Sequence, residues 1–132
     1  MLDPAHPVTS GWLWTCVLGF ALFFGLPLTL APLAWARRFG WRVPDKDHEL
    51  AVYFGRCLGA VVLVLGYFVA RAAPTPARDH WALELFTFAG AAMTLVHGWG
   101  WLRRMQPRSE NVETIGYALV TIVNVWISAT LP

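Results

Sequence analysis

Charge is what this chain has least of. Its 132 residues include 10 Lys and Arg against 8 Asp and Glu, 14% charged in all, while 57% are hydrophobic. That balance is far from the balance of a soluble globule. A formal net charge of +2, most of it held in polar stretches between apolar runs, excludes a nucleic-acid footprint. Cysteine is scarcer still. Cys16 and Cys57 both fall inside apolar runs, so neither a disulfide framework nor a CxxC metal or redox motif is available, and both read as small buried hydrophobes. The sequence also lacks a GxSxG elbow, a P-loop and a Gly-rich dinucleotide turn. Its four histidines show neither H-x-x-x-H spacing nor a carboxylate triad for zinc, so no metal is expected. Internal repeats and low-complexity segments are missing too. An enzyme is therefore disfavoured, and function has to be argued from the few polar groups that a membrane tolerates.

What the chain has in abundance is long apolar runs. Crossing about 30 Å of hydrocarbon takes about 20 helical residues, and four segments offer that length, at approximately 11–35, 50–70, 81–102 and 113–131. The pattern predicts an all-α integral membrane protein, an antiparallel four-transmembrane-helix bundle forming a single domain over residues 1–132. Pro27 and Pro32 should kink or end the first helix in its second half. The "AWA" at 34–36 imitates a signal cleavage site. However, the apolar stretch before it is too long for a signal core and Arg37 and Arg38 follow directly, so the segment reads as a retained helix.

The connecting loops are short, polar and broken by proline or other turn formers. Arg37, Arg38, Arg42 and Lys46 belong to the first loop, Arg71 and Arg78 to the second, and Arg103, Arg104 and Arg108 to the third. By the positive-inside rule the first and third loops are cytoplasmic, which places the protein in the cytoplasmic (inner) membrane with both termini outside. Trp41, Trp81, Trp99 and Trp101 fall near the predicted interfaces, where indole rings are favoured.

In the second span Gly55 and Gly59 form a GxxxG pair that Gly66 extends, and in the third span Gly90 and Gly98 form a similar stripe with Thr94. Small residues on one face permit close helix approach, so these two spans are expected in tight contact.

Ionisable residues inside a span need a partner or a route to the headgroups. Arg56 lies about 9 Å in from the cytoplasmic edge at 1.5 Å per residue, and His97 about 7 to 8 Å in from the same side. Glu113 begins the fourth span there. Arg56, His97 and Glu113 are therefore expected to converge in one layer, with Glu49 just outside it, as a structural ion pair or as a pocket for an anion or headgroup. Toward the other face, Asp79, His80 and Glu84 surround a helix start, where acidic groups suit the dipole. Asn124, about 10 Å deep by the same rise, should hydrogen-bond across helices, and Glu84 with Asn124 forms a secondary candidate site. A bis-histidine haem needs two histidines at matching depth on facing helices. His48 lies in a loop, so haem is disfavoured, as is a chlorophyll held by His97 alone. A quinone remains compatible.

The run "YFGRCLGAVVLVLG", with an arginine between glycines early in the second of four helices, resembles small bacterial four-helix membrane proteins of the DoxX-like kind. The likeness is carried by Gly55, Arg56, Gly59 and Gly66. It implies a possible association with redox or quinone-linked membrane complexes and transfers no catalytic residue. Glycine stripes and dense aromatic content point first to a non-enzymatic membrane subunit, either an accessory or assembly component of a larger complex or a homo-oligomer. The alternatives are a binding protein or carrier for a lipid, quinone or small hydrophobic molecule anchored on Arg56 and His97, and a membrane redox enzyme. The expected partners are membrane lipids and either another protein in the membrane or a second copy of the chain, with no nucleic acid.

Overall fold

An apolar run inside a bilayer has to satisfy its own backbone, which a helix does without help from a neighbouring segment. In the computed structural model, which describes residues 1–43 and 45–131, the described residues contain five helices and no strand. These are α1 (Pro7–Leu30), α2 (Pro32–Arg38), α3 (Glu49–Ala72), α4 (Trp81–Leu102) and α5 (Arg108–Thr130). Three of them, α1, α3 and α5, are long and apolar enough to cross a membrane. The 22 residues of α4 span about 33 Å at 1.5 Å per residue, but Glu84, His97 and its tryptophans lower its hydropathy.

The prolines divide the first apolar run more sharply than a single bent span would. Ala31 leaves the helical region (φ −144°, ψ 60°) because a residue before proline is disfavoured there. Helix α2 then restarts on Pro32, a favoured first helical position. Upstream, Pro27 has no N–H to give the carbonyl of Phe23, one turn back. The helix passes through one π turn at Ala21–Gly25, and the indole Nε1 of Trp35 donates to the Phe23 carbonyl at 2.7 Å. A side chain from α2 thus satisfies the acceptor that the proline left free.

Helix packing differs from the sequence expectation. Gly55 and Gly59 of α3 do not face α4 but the start of α2 and the end of α1. A Cβ placed on Gly59 would lie 2.5 Å from Thr29 Oγ1, 2.6 Å from Thr29 N and 2.8 Å from the Gly25 carbonyl oxygen, while Gly55 sits against Pro32. Gly90 of α4 faces Thr121 of α5 in the same manner. The molecule is therefore two helix pairs, α1 with α3 and α4 with α5. A stripe of small residues dictates close approach but not the identity of the neighbour, and Gly25 and Thr29 on α1 supply the matching surface. Nothing lies within 4 Å of a Cβ placed on Gly66 or Gly98.

The two pairs meet at one end. Leu13 and Val17 of α1, Val69 and Ala72 of α3, Ala73, Ala82 and Leu83 around the start of α4, and Ile127 of α5 form one buried cluster, where both termini and the α3–α4 connection lie. Elsewhere the surface is inverted relative to a water-soluble protein. Leu95 is 74% exposed and Leu119 56%, whereas Glu110 is 3% and Asn124 0% exposed. Along α5 the residues Glu110, Thr114, Tyr117, Asn124 and Ile127 are buried, at alternating three- and four-residue steps with one step omitted, and the apolar residues between them face outward. Such a helix suits a hydrocarbon environment, where polar groups turn toward neighbouring helices.

Candidate site: a cavity with a polar end

Away from the closed end the helix pairs separate around a cavity of about 580 Å³, within the range of small-molecule sites. Its walls are mostly apolar. Phe20 stacks on Phe86 with ring centroids 5.6 Å apart, and Phe20 and Phe24 each lie 6.4 Å from Tyr117. Leu58, Val62 and Gly66 of α3 line the opposite side.

One end of the cavity is polar, and three elements build it. Helix α4 brings His97 near its C-terminus, and α5 brings Glu110, Glu113 and Tyr117 on one face at spacings of three and four. The loop after α2 brings Trp41. Its indole Nε1 donates to Glu110 Oε1 at 2.7 Å, which fixes that carboxylate and leaves Oε2 turned to His97 Nδ1 at 3.1 Å. The contact lacks hydrogen-bond alignment, and His97 Nδ1 and Glu113 Oε1 are both buried without a hydrogen-bond partner among the described residues. The His97 ring also packs on Tyr117, with centroids 5.2 Å apart. Ligand atoms from His97, Glu110 and Glu113 all lie within 4.8 Å of one another, a clustering that linear spacing gave no reason to expect.

Arg56 does not join this layer. Its side chain is exposed and, among the described residues, forms no ion pair within 4.0 Å. It lines a shallow surface recess with Thr29, His48, Glu49, Tyr53 and Cys57. The reason is angular. Gly55 and Gly59 point at Pro32 and α1, and Arg56, next to Gly55, is rotated about 100° around the helix and away from the interior. His97 and Glu113 meet as expected at a shared depth, but with Glu110 instead of the arginine. Glu49 lies with Arg56 at the recess, outside the cluster.

The secondary pair is not assembled either. Asn124 is fully buried and accepts a bond from Trp12 Nε1 at 2.9 Å, the cross-helix role expected of it. Glu84 is exposed and, among the described residues, pairs with His80, the residue preceding α4, 3.5 Å away. Asp79 makes no side-chain cap for α4. It accepts instead from Arg78 at 2.9 Å and from the Thr75 hydroxyl at 2.6 Å, and the Arg78 guanidinium first, then Thr75, holds its carboxyl below the ordinary range.

Glu110, Trp41 and Tyr117 escaped the sequence reading. Hydropathy starts the fourth span at 113 and leaves Glu110 in a loop, whereas α5 begins at Arg108, directly after the extended Pro107. The signal was present in the three- and four-residue steps from Glu110 through Glu113 to Tyr117, which put all three on one helical face. Sequence position makes Trp41 an interface anchor, and only the path of its loop reveals the bond to Glu110. No family model, curated protein or solved structure matches this chain.

Proposed function

We propose that this is a four-span protein of the cytoplasmic membrane, with both termini outside, that binds a small hydrophobic molecule carrying a hydrogen-bonding head, of the quinone class. The observation that carries the reading is the cavity, whose aromatic and aliphatic walls end in His97, Glu113 and Tyr117. Flat, stacked aromatic walls suit a ring, and a few convergent polar groups at one end suit its oxygens. The fourth crossing is supported by the close antiparallel pairing of α4 with α5, since a helix joined by a short loop to a spanning neighbour shares its depth. The orientation rests on the Lys and Arg bias of the loops beside the polar end.

The test uses Gly66, which lines the cavity and has no atom within 4 Å of its Cβ position. Gly66→Phe should fill the cavity without displacing a helix. Protein purified in mild detergent is expected to carry quinone detectable by mass spectrometry, and Gly66→Phe to lose at least tenfold of it at unchanged helicity. Equal quinone in both proteins, or none in either, refutes the reading. A native mass showing stable association with other chains and no bound quinone would instead support an accessory subunit.

A further inference from the structure

We infer that His97, Glu110 and Glu113 bind a divalent first-row transition metal whose open coordination position faces the cavity. The inference uses the same polar end as the proposed binding site but does not depend on which organic molecule occupies the cavity. Three observations point the same way.

The first is charge. The buried carboxylate of Glu110 and the half-buried one of Glu113 lie side by side, and no Lys or Arg lies within 4.0 Å of either among the described residues. Adjacent buried anions need compensation, and a single imidazole does not neutralise both. The second is hydrogen bonding. His97 Nδ1 and Glu113 Oε1 are buried and unpartnered, an arrangement that is costly unless something accepts their lone pairs. The third is support from behind. Trp41 Nε1 holds Glu110 by the oxygen turned away from His97, as outer hydrogen bonds orient metal-ligating carboxylates.

The donor set selects the class of ion. One imidazole nitrogen with two carboxylates suits zinc, manganese or ferrous iron better than a soft ion that prefers thiolates, and the nitrogen disfavours magnesium and calcium. Three protein ligands with a free position form the open pattern of metal sites that admit water or a small molecule. Donor atoms about 2 Å from a tetrahedral ion lie about 3.3 Å apart, and the observed spread of up to 4.8 Å is closed by small carboxylate rotations. The free position is assigned to the cavity side because His97, Glu110 and Glu113 all belong to the cavity lining.

The experiment titrates zinc and cobalt(II) into metal-stripped full-length protein in detergent, measuring bound zinc by mass spectrometry and cobalt coordination by visible absorption. Wild type is expected to bind one zinc per chain and to give the intense bands of low-coordinate cobalt. His97→Ala and Glu113→Gln should each weaken zinc binding at least tenfold and remove those bands. Trp41→Phe keeps all three ligands and should weaken binding about tenfold, whereas Gly66→Phe should bind zinc as wild type does even when it has lost quinone. If His97→Ala proves poorly helical, Glu113→Gln, which conserves shape, carries the test. Wild-type zinc affinity matched by Glu113→Gln, or cobalt spectra of the six-coordinate aqueous kind, overturns the inference.

Discussion

The two ends of the helix bundle are held together by different means. At the end carrying the termini, all four long helices meet in a cluster of Leu, Val, Ala and Ile, with Leu13, Val69, Ala82 and Leu83 fully buried and one amide–indole bond between Asn124 and Trp12. Toward the opposite end the pairs are bridged by the Phe20 ring against Phe86 and Tyr117 and by the Trp41–Glu110 bond, and the space left between them is a cavity bounded by an imidazole, two carboxylates and a phenol. Because lipid tails are as apolar as leucine, burying leucine gains little by itself, and tight fit and hydrogen bonds decide whether helices join. The closed end has the buried apolar cluster and the bond to Trp12, although Asn124 Nδ2 is itself buried without a partner among the described residues. The open end leaves polar atoms to be satisfied by something other than the chain, which is where binding is expected.

Breaking the closed end should have the largest effect. Leu83→Ala leaves a void among fully buried neighbours and is expected to cost about 2 kcal/mol, at the low end for such changes because the surrounding solvent is apolar. Met93→Ala on the cavity wall opens no new enclosed space and should cost well under about 1 kcal/mol. Thermal unfolding in detergent followed by circular dichroism compares them, and equal losses would mean that the ends do not differ as described. The helix pairing is probed by Gly59→Leu, which forces a side chain against the α1 backbone and should destabilise by about 1–3 kcal/mol, whereas Gly98→Leu, with open space at its Cβ, should change stability by less than about 0.5 kcal/mol.

Asn124→Leu removes the bond to Trp12 and is expected to cost about 0.6–1.7 kcal/mol in the same assay. A gain in stability would show the buried amide to be a liability of the closed end. Arg56→Leu should fall within about 0.5 kcal/mol of wild type and leave cavity binding intact. A loss of bound quinone on that substitution would move the site from the cavity to the recess around Arg56. The smallest effect concerns Asp79. Its folded-state carboxyl is held below the usual aspartate range by Arg78 and Thr75, so its contribution is present above about pH 4 and is lost as pH falls through the lowered value. Because Arg78 is exposed and Asp79 partly so, the acid limb of a stability–pH curve should flatten only slightly in Asp79→Asn.

The helices themselves were legible because apolar runs of this length and turn-rich breaks leave little alternative, but their edges depended on caps. Pro107 starts α5 at Arg108 and brings Glu110 into a helix, a residue that hydropathy alone assigns to a loop. The break at Ala31 followed from Pro32, whereas the rescue of the Phe23 carbonyl by Trp35 required both segments to be folded. Glycine spacing announced close helix contacts, yet the partners were α1 for Gly59 and α5 for Gly90, because small residues specify distance without direction.

Composition and hydropathy by themselves determined an all-helical chain suited to a membrane, and sequence position determined which ionisable groups share a depth, because rise along a helix is a fixed length per residue. Rotation about each helix and the choice of neighbour belonged to the tertiary structure. Rise per residue predicts one level for Arg56, His97 and Glu113, but only the packing of α3 on the first apolar run turned Arg56 outward, and only the pairing of α4 with α5 set His97 beside two carboxylates.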